Sequence, residues 1–384
     1  MTAPDRAPTA PTTVLYVHGG GHWIRGSERC LLDLIAGVDR SRFTPVLWCD
    51  GDGLAAAAAD LGVAVERYSG GAAVAESRMP PRALVRAARA LLARYGVGLV
   101  HANDMPTVKW LLPATRAARV PLLAHLHLLS DRDERCFVGL HQVALAVGVS
   151  HAAVRGLIDD GEPPERVTVI HNGVDPRRLE RGDATGLRAA LGVGPAAVVS
   201  TAVTSLIAIK ANDVLLEAFA LLRRDEAQGA AEHHLLLVGD GRDRAALEAR
   251  AAALGVVDRA HFLGERADAG AILRDASDLA VSASRMEAFP LNTLEAAYFG
   301  LPVVASGIAA HRESVRDGET GVLVAADDPA AFAAALRALG ADPGRRRALG
   351  EAGRARVRAE FLVEHYVRAF EAAYDRLLAR EPSA

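Results

Sequence analysis

The sequence predicts an α/β protein made of two parallel-sheet domains in tandem, and three observations predict it. Short apolar runs of strand length alternate with amphipathic stretches of helix length, the pattern of parallel strands joined by crossover helices. The alternation is broken by a polar, Gly-containing segment, Arg177 to Gly194, and then begins again. At 384 residues with 51% apolar content, the chain is long enough for two ordinary domains with full cores. The expected bounds are 13–178 for the first domain and 195–355 for the second.

Composition narrows the classes of function. A net charge of −3 lacks the basic excess of a nucleic-acid-binding surface. Cys30, Cys49 and Cys136 are odd in number and widely spaced, which suits free thiols in a reducing compartment and suggests no metal cluster. Met1 to Thr12 has no apolar core, so it reads as neither a signal peptide nor a membrane span, and no other run approaches bilayer length. A cytoplasmic location is expected.

In chain order, Thr13 to Val17 is a strand that runs into His18-Gly19-Gly20-Gly21-His22, and a helix follows from about Arg29 to Ala36. Glycines between a first strand and a first helix let backbone approach a phosphate, and Gly20 and Gly21 are favoured for that over Gly19. The series continues through Pro45–Trp48, Leu54–Asp60, Ala64–Arg67, Arg82–Tyr95, Leu99–His101 and Pro121–His127. On Arg82–Tyr95, Arg82, Arg86 and Arg89 oppose Leu84, Val85, Ala88, Leu91 and Leu92. Such a helix can lie on an anionic membrane, but an outer helix showing arginines to water is the favoured reading. His127 falls nearest the sheet edge and reads as a site residue, whereas His125 reads as structural. His101, Asn103 and Asp104 follow the preceding strand in the same way, with a weaker signal.

Leu145–Val149 and Val167–Ile170 close the first series, and the second opens at Ala197–Val203. It leads to the stretch Ser282–Ser306, which carries Glu287 and Glu295 seven residues apart in a strand, loop, helix, strand unit. The loop and first helical turn of such a unit lie at the carboxyl edge of a parallel sheet, where open α/β folds bind ligands. The free N–H groups around Leu291, Asn292 and Thr293 favour an anion there, and Glu295 can accept both hydroxyls of a ribose diol. Acidic residues placed to suit a helix dipole would read equally well at this point.

Taken together, His171-Asn172-Gly173-Val174-Asp175, Lys210, Val238-Gly239-Asp240-Gly241, Phe262-Leu263-Gly264, Glu287 and Glu295, and Gly300-Leu301-Pro302-Val303-Val304 resemble the retaining nucleotide-sugar glycosyltransferases of the GT-B fold, family four. The resemblance spans nearly the whole chain. It implies two Rossmann-like domains facing across a cleft, with a closing helix at about 360–380 returning to the first domain. It also implies roles: Lys210 on the diphosphate, Glu287 on the donor sugar, Glu295 on the ribose, and His127 beside the reacting carbon. Gly20 or Gly21 would close over the phosphates. Ser205, Gly239, Leu263, Phe289, Pro290, Leu291, Asn292 and Thr293 would complete the donor site. No metal and no cofactor beyond the donor itself is implied, and a UDP-sugar is favoured over a GDP-sugar. The acceptor would be a small molecule, a lipid-linked group or a saccharide.

The sequence departs from the family at one place. The Gly-Arg pair that usually precedes the lysine is Thr204-Ser205 here, and the glycine after the lysine is Ala211. A serine cannot supply the bidentate fork of an arginine. Within the same fold, an epimerase or hydrolase acting on a nucleotide sugar is the alternative enzyme, and the missing arginine permits an inactive nucleotide-sugar-binding partner.

Overall fold

The computed structural model describes residues 10–19, 24–68, 82–226 and 231–379. The chain forms two compact units, Met1–Gly173 with Val363–Ala384, and Val174–Leu362. The first unit holds β1 (Thr12–His18), β2 (Phe43–Cys49), β3 (Ala64–Arg67), β4 (Val97–Ala102), β5 (Leu122–Leu126), β6 (Leu145–Gly148) and β7 (Val167–Val169). They pair in parallel in the order β3-β2-β1-β4-β5-β6-β7. The second unit holds β8 (Val198–Val203), β9 (His233–Val238), β10 (Ala260–Gly264), β11 (Leu279–Ser282), β12 (Val303–Ser306) and β13 (Gly321–Val324), parallel in the order β10-β9-β8-β11-β12-β13. Both are Rossmann-like sheets, as the alternation predicts.

Period-two alternation decides what each face of β1 buries. Leu15 and Val17 turn toward the helices Arg82–Arg94 and Met105–Ala118. Tyr16 turns the other way, toward an aromatic layer built with the last helix. On that helix, Val363–Leu378, the residues Tyr366, Phe370, Tyr374 and Leu377 recur at helical spacing and are buried. Phe370 touches the rings of His101, His125, Tyr366 and Tyr374. The Tyr374 hydroxyl meets His101 Nδ1 at 2.7 Å, and Arg42 ties the outer side of the helix to Glu371 and Asp375 at 3.1 and 2.6 Å. This is the closing helix of the first unit.

The arginines of Arg82–Arg94 face water while Leu84, Ala88, Leu91 and Leu92 are buried, so it is an outer helix of the layer. Its neighbour Met105–Ala118 is an element the sequence pattern conceals. Asp104 caps it by accepting from the Thr107 amide at 2.9 Å, and Pro106 sits in the first turn where no amide is missed. Pro113 lies inside the helix, where it removes one hydrogen bond. In the second unit, Gly350 of the helix Pro343–Glu360 lies against the Gly300 carbonyl, so close that a Cβ would clash with it. Among the described residues, no helix is long and apolar enough to cross a membrane.

Phe370 is wholly buried among four rings. Phe370→Ala is expected to lower the unfolding free energy of the first unit by about 3–5 kcal/mol, read from urea denaturation followed by tyrosine and tryptophan fluorescence.

Candidate functional site

In the second unit, strand order reverses beside β8, which has β9 on one side and β11 on the other. Loops leaving neighbouring strands on either side of such a reversal part and leave a crevice at the carboxyl edge. Lys210 comes from the loop after β8 and Glu287 from the loop after β11. They meet there: Lys210 Nζ donates to Glu287 Oε1 at 2.5 Å, and the Ser284 hydroxyl donates to the same oxygen at 2.7 Å. The backbone brings them together, since the Arg285 amide donates to the Ile209 carbonyl at 2.8 Å. Glu287 Oε2 has no hydrogen bond among the described residues and stays available to a ligand hydroxyl.

The helix Leu291–Tyr298 starts beside this pair. Pro290 is its N-cap and provides no side-chain cap, so the amides of the first turn have no side-chain acceptor. The side chains of that turn are otherwise committed. Asn292 Nδ2 donates to the Val203 carbonyl at 3.1 Å, tying the helix start to the end of β8. The Thr293 hydroxyl donates to the Pro290 carbonyl and meets Ser314 Oγ at 3.0 Å. Phe289 and Pro290 are buried, and Phe289 lies beside the Phe361 ring. What Phe289 and Leu291 to Thr293 can present to a ligand is thus their backbone N–H groups, and Pro290 presents none.

Glu295 accepts from Arg178 Nη1 at 3.1 Å through Oε1, and Tyr298 on the same helix donates to Glu180. The helix is thereby clamped by the turn Pro176–Leu179 and the residue after it. Any diol that Glu295 accepts must share it with Arg178, a partner the sequence pattern does not reveal.

Gly239 has a φ of +137° and stands so close to the Thr204 carbonyl that a Cβ would clash, and Gly241 meets the Leu206 carbonyl in the same way. These glycines let the segment 204–206 lie against the end of β9, held by Thr204 N to Val238 O at 2.9 Å and Leu206 N to Asp240 O at 3.0 Å. Ser205 is exposed at the top of that segment, and Leu263, half-buried, ends β10 next to Gly264. Ala211 has a φ of +51° and a ψ of 39°, the left-handed region, directly after the turn that carries Lys210. Behind the site, His311 is wholly buried and braces two loops: Nε2 meets Ser282 Oγ at 3.1 Å and Nδ1 donates to the Ser306 carbonyl at 2.8 Å.

The first unit holds its own polar cluster at the corresponding reversal, where β1 has β2 on one side and β4 on the other. His18 ends β1, Asn103 and Asp104 follow β4, and His127 follows β5. His18 Nε2 meets Glu28 Oε1 at 3.0 Å, and its Nδ1 lies 3.2 Å from Asn103 Nδ2 and 3.4 Å from Asp104 Oδ2. The Gly19 amide donates to Asp104 Oδ2 at 2.5 Å, which fixes the entry to the glycine loop. Gly20 and Gly21 themselves lie outside the described residues.

Asn103 Nδ2 donates to the Ser27 carbonyl, which orients the amide and leaves Oδ1 facing His127 Nε2 at 3.2 Å. An oxygen there can only accept, so His127 carries its proton on Nε2 and keeps Nδ1 as an acceptor. Burial, with the charge of His18 adding to it, pushes the His127 pKa down to about 3, so the ring is neutral at any working pH. His125 is wholly buried under it, 4.0 Å between centroids, and is a core residue as expected. His18 and Glu28 belong to this cluster, and sequence reasoning missed them. The available signal was a carboxylate in the first turn of the helix Gly26–Gly37, and nothing in the spacing pointed it at His18.

Two family models match the chain. Residues 24–178 match the Glycosyltransferase Family 4 model, and residues 197–342 match the model for glycosyl transferases group 1. Curated relatives include the D-inositol 3-phosphate glycosyltransferases of Geodermatophilus obscurus, 40% identical over 57% of this chain and 50% of the relative, and of Thermomonospora curvata, 38% identical over 67% and 61%. The chain thus spans only half to three-fifths of the length of these two. Among solved structures, Anabaena Alr3699/HepE in complex with UDP aligns with a TM-score of 0.81 at 22% identity, over 95% of this chain and 100% of that one. A Rickettsia africae glycosyltransferase aligns with a TM-score of 0.82 at 19% identity, over 97% and 100%.

Two outcomes are expected. Burial opposes charging of His18, but the hydrogen bond to Glu28 and the charge of Asp104 outweigh it, and its pKa lies above the ordinary 6.5. The stabilisation it supplies is complete below that ordinary value and is lost as pH rises through the raised one. Glu28, held down at about 2 because the His18 hydrogen bond and charge outweigh its burial, loses its share only as pH falls through that value. His18→Gln should therefore destabilise the first unit more at about pH 5.5 than at about pH 9, measured by chemical denaturation. Ala211→Gly should stabilise the second unit by roughly 1 kcal/mol, the left-handed strain relieved less the added chain entropy, read by the same method.

Proposed function

We propose that this chain, a member of the GT-B glycosyltransferases, moves a sugar from a nucleoside diphosphate donor to an acceptor hydroxyl with retention of anomeric configuration. The observation that carries this reading is the meeting of Lys210 and Glu287 at the strand reversal of the second unit, beside a helix start whose amides have no side-chain cap. A diphosphate leaving group develops negative charge as the glycosidic bond breaks. An ammonium and oriented N–H groups in a partly buried crevice stabilise that charge without a metal ion.

In the resting site Lys210 is neutralised by Glu287. The donor diphosphate draws the ammonium toward itself, and Glu287, still bonded to Ser284, turns its carboxylate to the hydroxyls of the donor sugar. Glu287 is then engaged on hydroxyls and is not placed as a nucleophile. The departing phosphate oxygen takes the acceptor proton on the same face, which gives retention. Glu295 accepts the ribose hydroxyls while Arg178 keeps its carboxylate oriented. In the first unit His127 is neutral with Nδ1 left as an acceptor, the form to which a sugar hydroxyl can donate.

UDP is the preferred nucleotide of this reading, supported by the UDP complexes of the Anabaena neighbour. A phosphorylated polyol is the first acceptor to test, because the curated relatives are named for D-inositol 3-phosphate. With Ser205 in place of an arginine, the burden of phosphate charge falls on Lys210.

The test is sugar transfer and nucleotide binding together. UDP should raise the melting temperature more than GDP at equal concentration. Lys210→Ala should lower turnover by about 10²–10³-fold and weaken the UDP shift, with Glu287→Ala losing turnover while keeping most of the UDP shift. Turnover by Lys210→Ala at the rate of the unchanged chain would sink the assignment.

A further inference from the structure

The first unit carries a second group of reactive side chains that the transfer reaction does not use. Cys136, on the helix Arg132–Val138, is exposed, and its Sγ lies 3.7 Å from His141 Nε2. His141 Nδ1 lies 3.0 Å from Glu162 Oε1, an acceptor, so the neutral ring holds its proton on Nδ1 and turns its lone pair to the thiol. A nucleophile, a base and a group that orients the base stand here in sequence. Asp160 Oδ2 lies 3.5 Å from His141 Nε2, so once the ring takes the thiol proton it faces carboxylates from two directions. Those carboxylates are themselves fixed by cations: Asp160 by Arg135 at 2.8 Å and Arg132 at 3.6 Å, Glu162 by Arg166 at 3.6 Å.

A pocket of about 250 Å³ opens beside this thiol, lined among others by Cys136, Lys109, Leu112, Arg116, Phe137 and Gln142. Lys109 is only 5% exposed, and its Nζ has no hydrogen-bond partner among the described residues. The ammonium stands over the Phe137 ring, 3.9 Å from its centroid, and that ring is itself exposed. A buried ammonium with no acceptor is unfavourable, and an anion entering the pocket relieves it. Arg116, exposed on the rim, adds a second positive charge.

We propose that Cys136 is an activated thiol that forms mixed disulfides with anionic low-molecular-weight disulfides seated in the Lys109 pocket. His141 Nε2 takes the proton from Sγ. The thiolate attacks one sulfur of the small disulfide, the new S–S bond forms as the old one breaks, and the leaving thiolate recovers the proton from His141. The small disulfide is the oxidant: one of its halves leaves as free thiol, and the other stays on Sγ in the mixed disulfide, with Cys136 as the group oxidised.

The full chain is incubated with oxidised glutathione, an anionic disulfide, and in parallel with bis(2-hydroxyethyl) disulfide, an uncharged one. The sites are read by peptide mass spectrometry. Cys30 and Cys49, buried at 1% and 0% exposure, serve as internal controls. One adduct on Cys136 is expected, with a rate that saturates in oxidised glutathione. His141→Gln, with Glu162→Gln as a second variant, should slow reaction with both disulfides about tenfold. Lys109→Met should raise the half-saturating concentration of oxidised glutathione about tenfold and leave the rate with the uncharged disulfide unchanged. Equal rates in the His141, Glu162 and unchanged chains would overturn the activated thiol. Loss of saturation, or indifference of the glutathione reaction to Lys109→Met, would overturn the seat.

Discussion

The second unit depends on one constraint: two loops that diverge at a strand reversal must be held close enough for a lysine and a glutamate to share a proton-bearing contact. Side-chain attraction alone would not do this, because a partly exposed ion pair gains little over water. The backbone does it. The backbone amide of Arg285 reaches the carbonyl of Ile209, and the side-chain amide of Asn292 adds a bond to the end of β8, so the two loops are stitched on both sides of Lys210 and Glu287. The pair then comes ready-aligned, with the lysine already ordered by the fold.

The first unit solves a related problem with different residues. Charged and polar groups converge at the edge of its sheet, and each would be costly to bury alone. His18 is flanked by Glu28 and Asp104, Asp104 holds the amides of Gly19 and Thr107, and Asn103 passes the orientation on to His127. The result is an uncharged imidazole with a defined acceptor nitrogen, obtained by placing the charge one residue away. Below it lies the aromatic layer made with Val363–Leu378, so the polar cluster rests on a rigid floor.

The strands were legible because period and spacing are local properties: nearly every one falls within a residue or two of its sequence-derived position. The helix Met105–Ala118 was not, because Pro106 and Pro113 read as breaks; the cap from Asp104 and burial against Arg82–Arg94 outweigh the lost hydrogen bond. Lys210 and Glu287 could be singled out from motif order. The engagement of Glu295 with Arg178, and of Thr293 with Ser314, could not, since each joins residues that no periodicity relates. Ala211 departs from the family pattern in the sequence itself. Its left-handed backbone explains why a glycine is usual there.

Gly350 gives the site a further property. The long helix Pro343–Glu360 touches the Gly300 carbonyl main chain to main chain, with no side chain between them. Side chains yield by changing rotamer, whereas backbone in contact with backbone has no such slack. The turn that closes the helix Leu291–Tyr298 is therefore seated against Pro343–Glu360 by backbone alone. The seat of the helix Leu291–Tyr298 thus depends on Gly350, a residue with no side chain of its own to contribute.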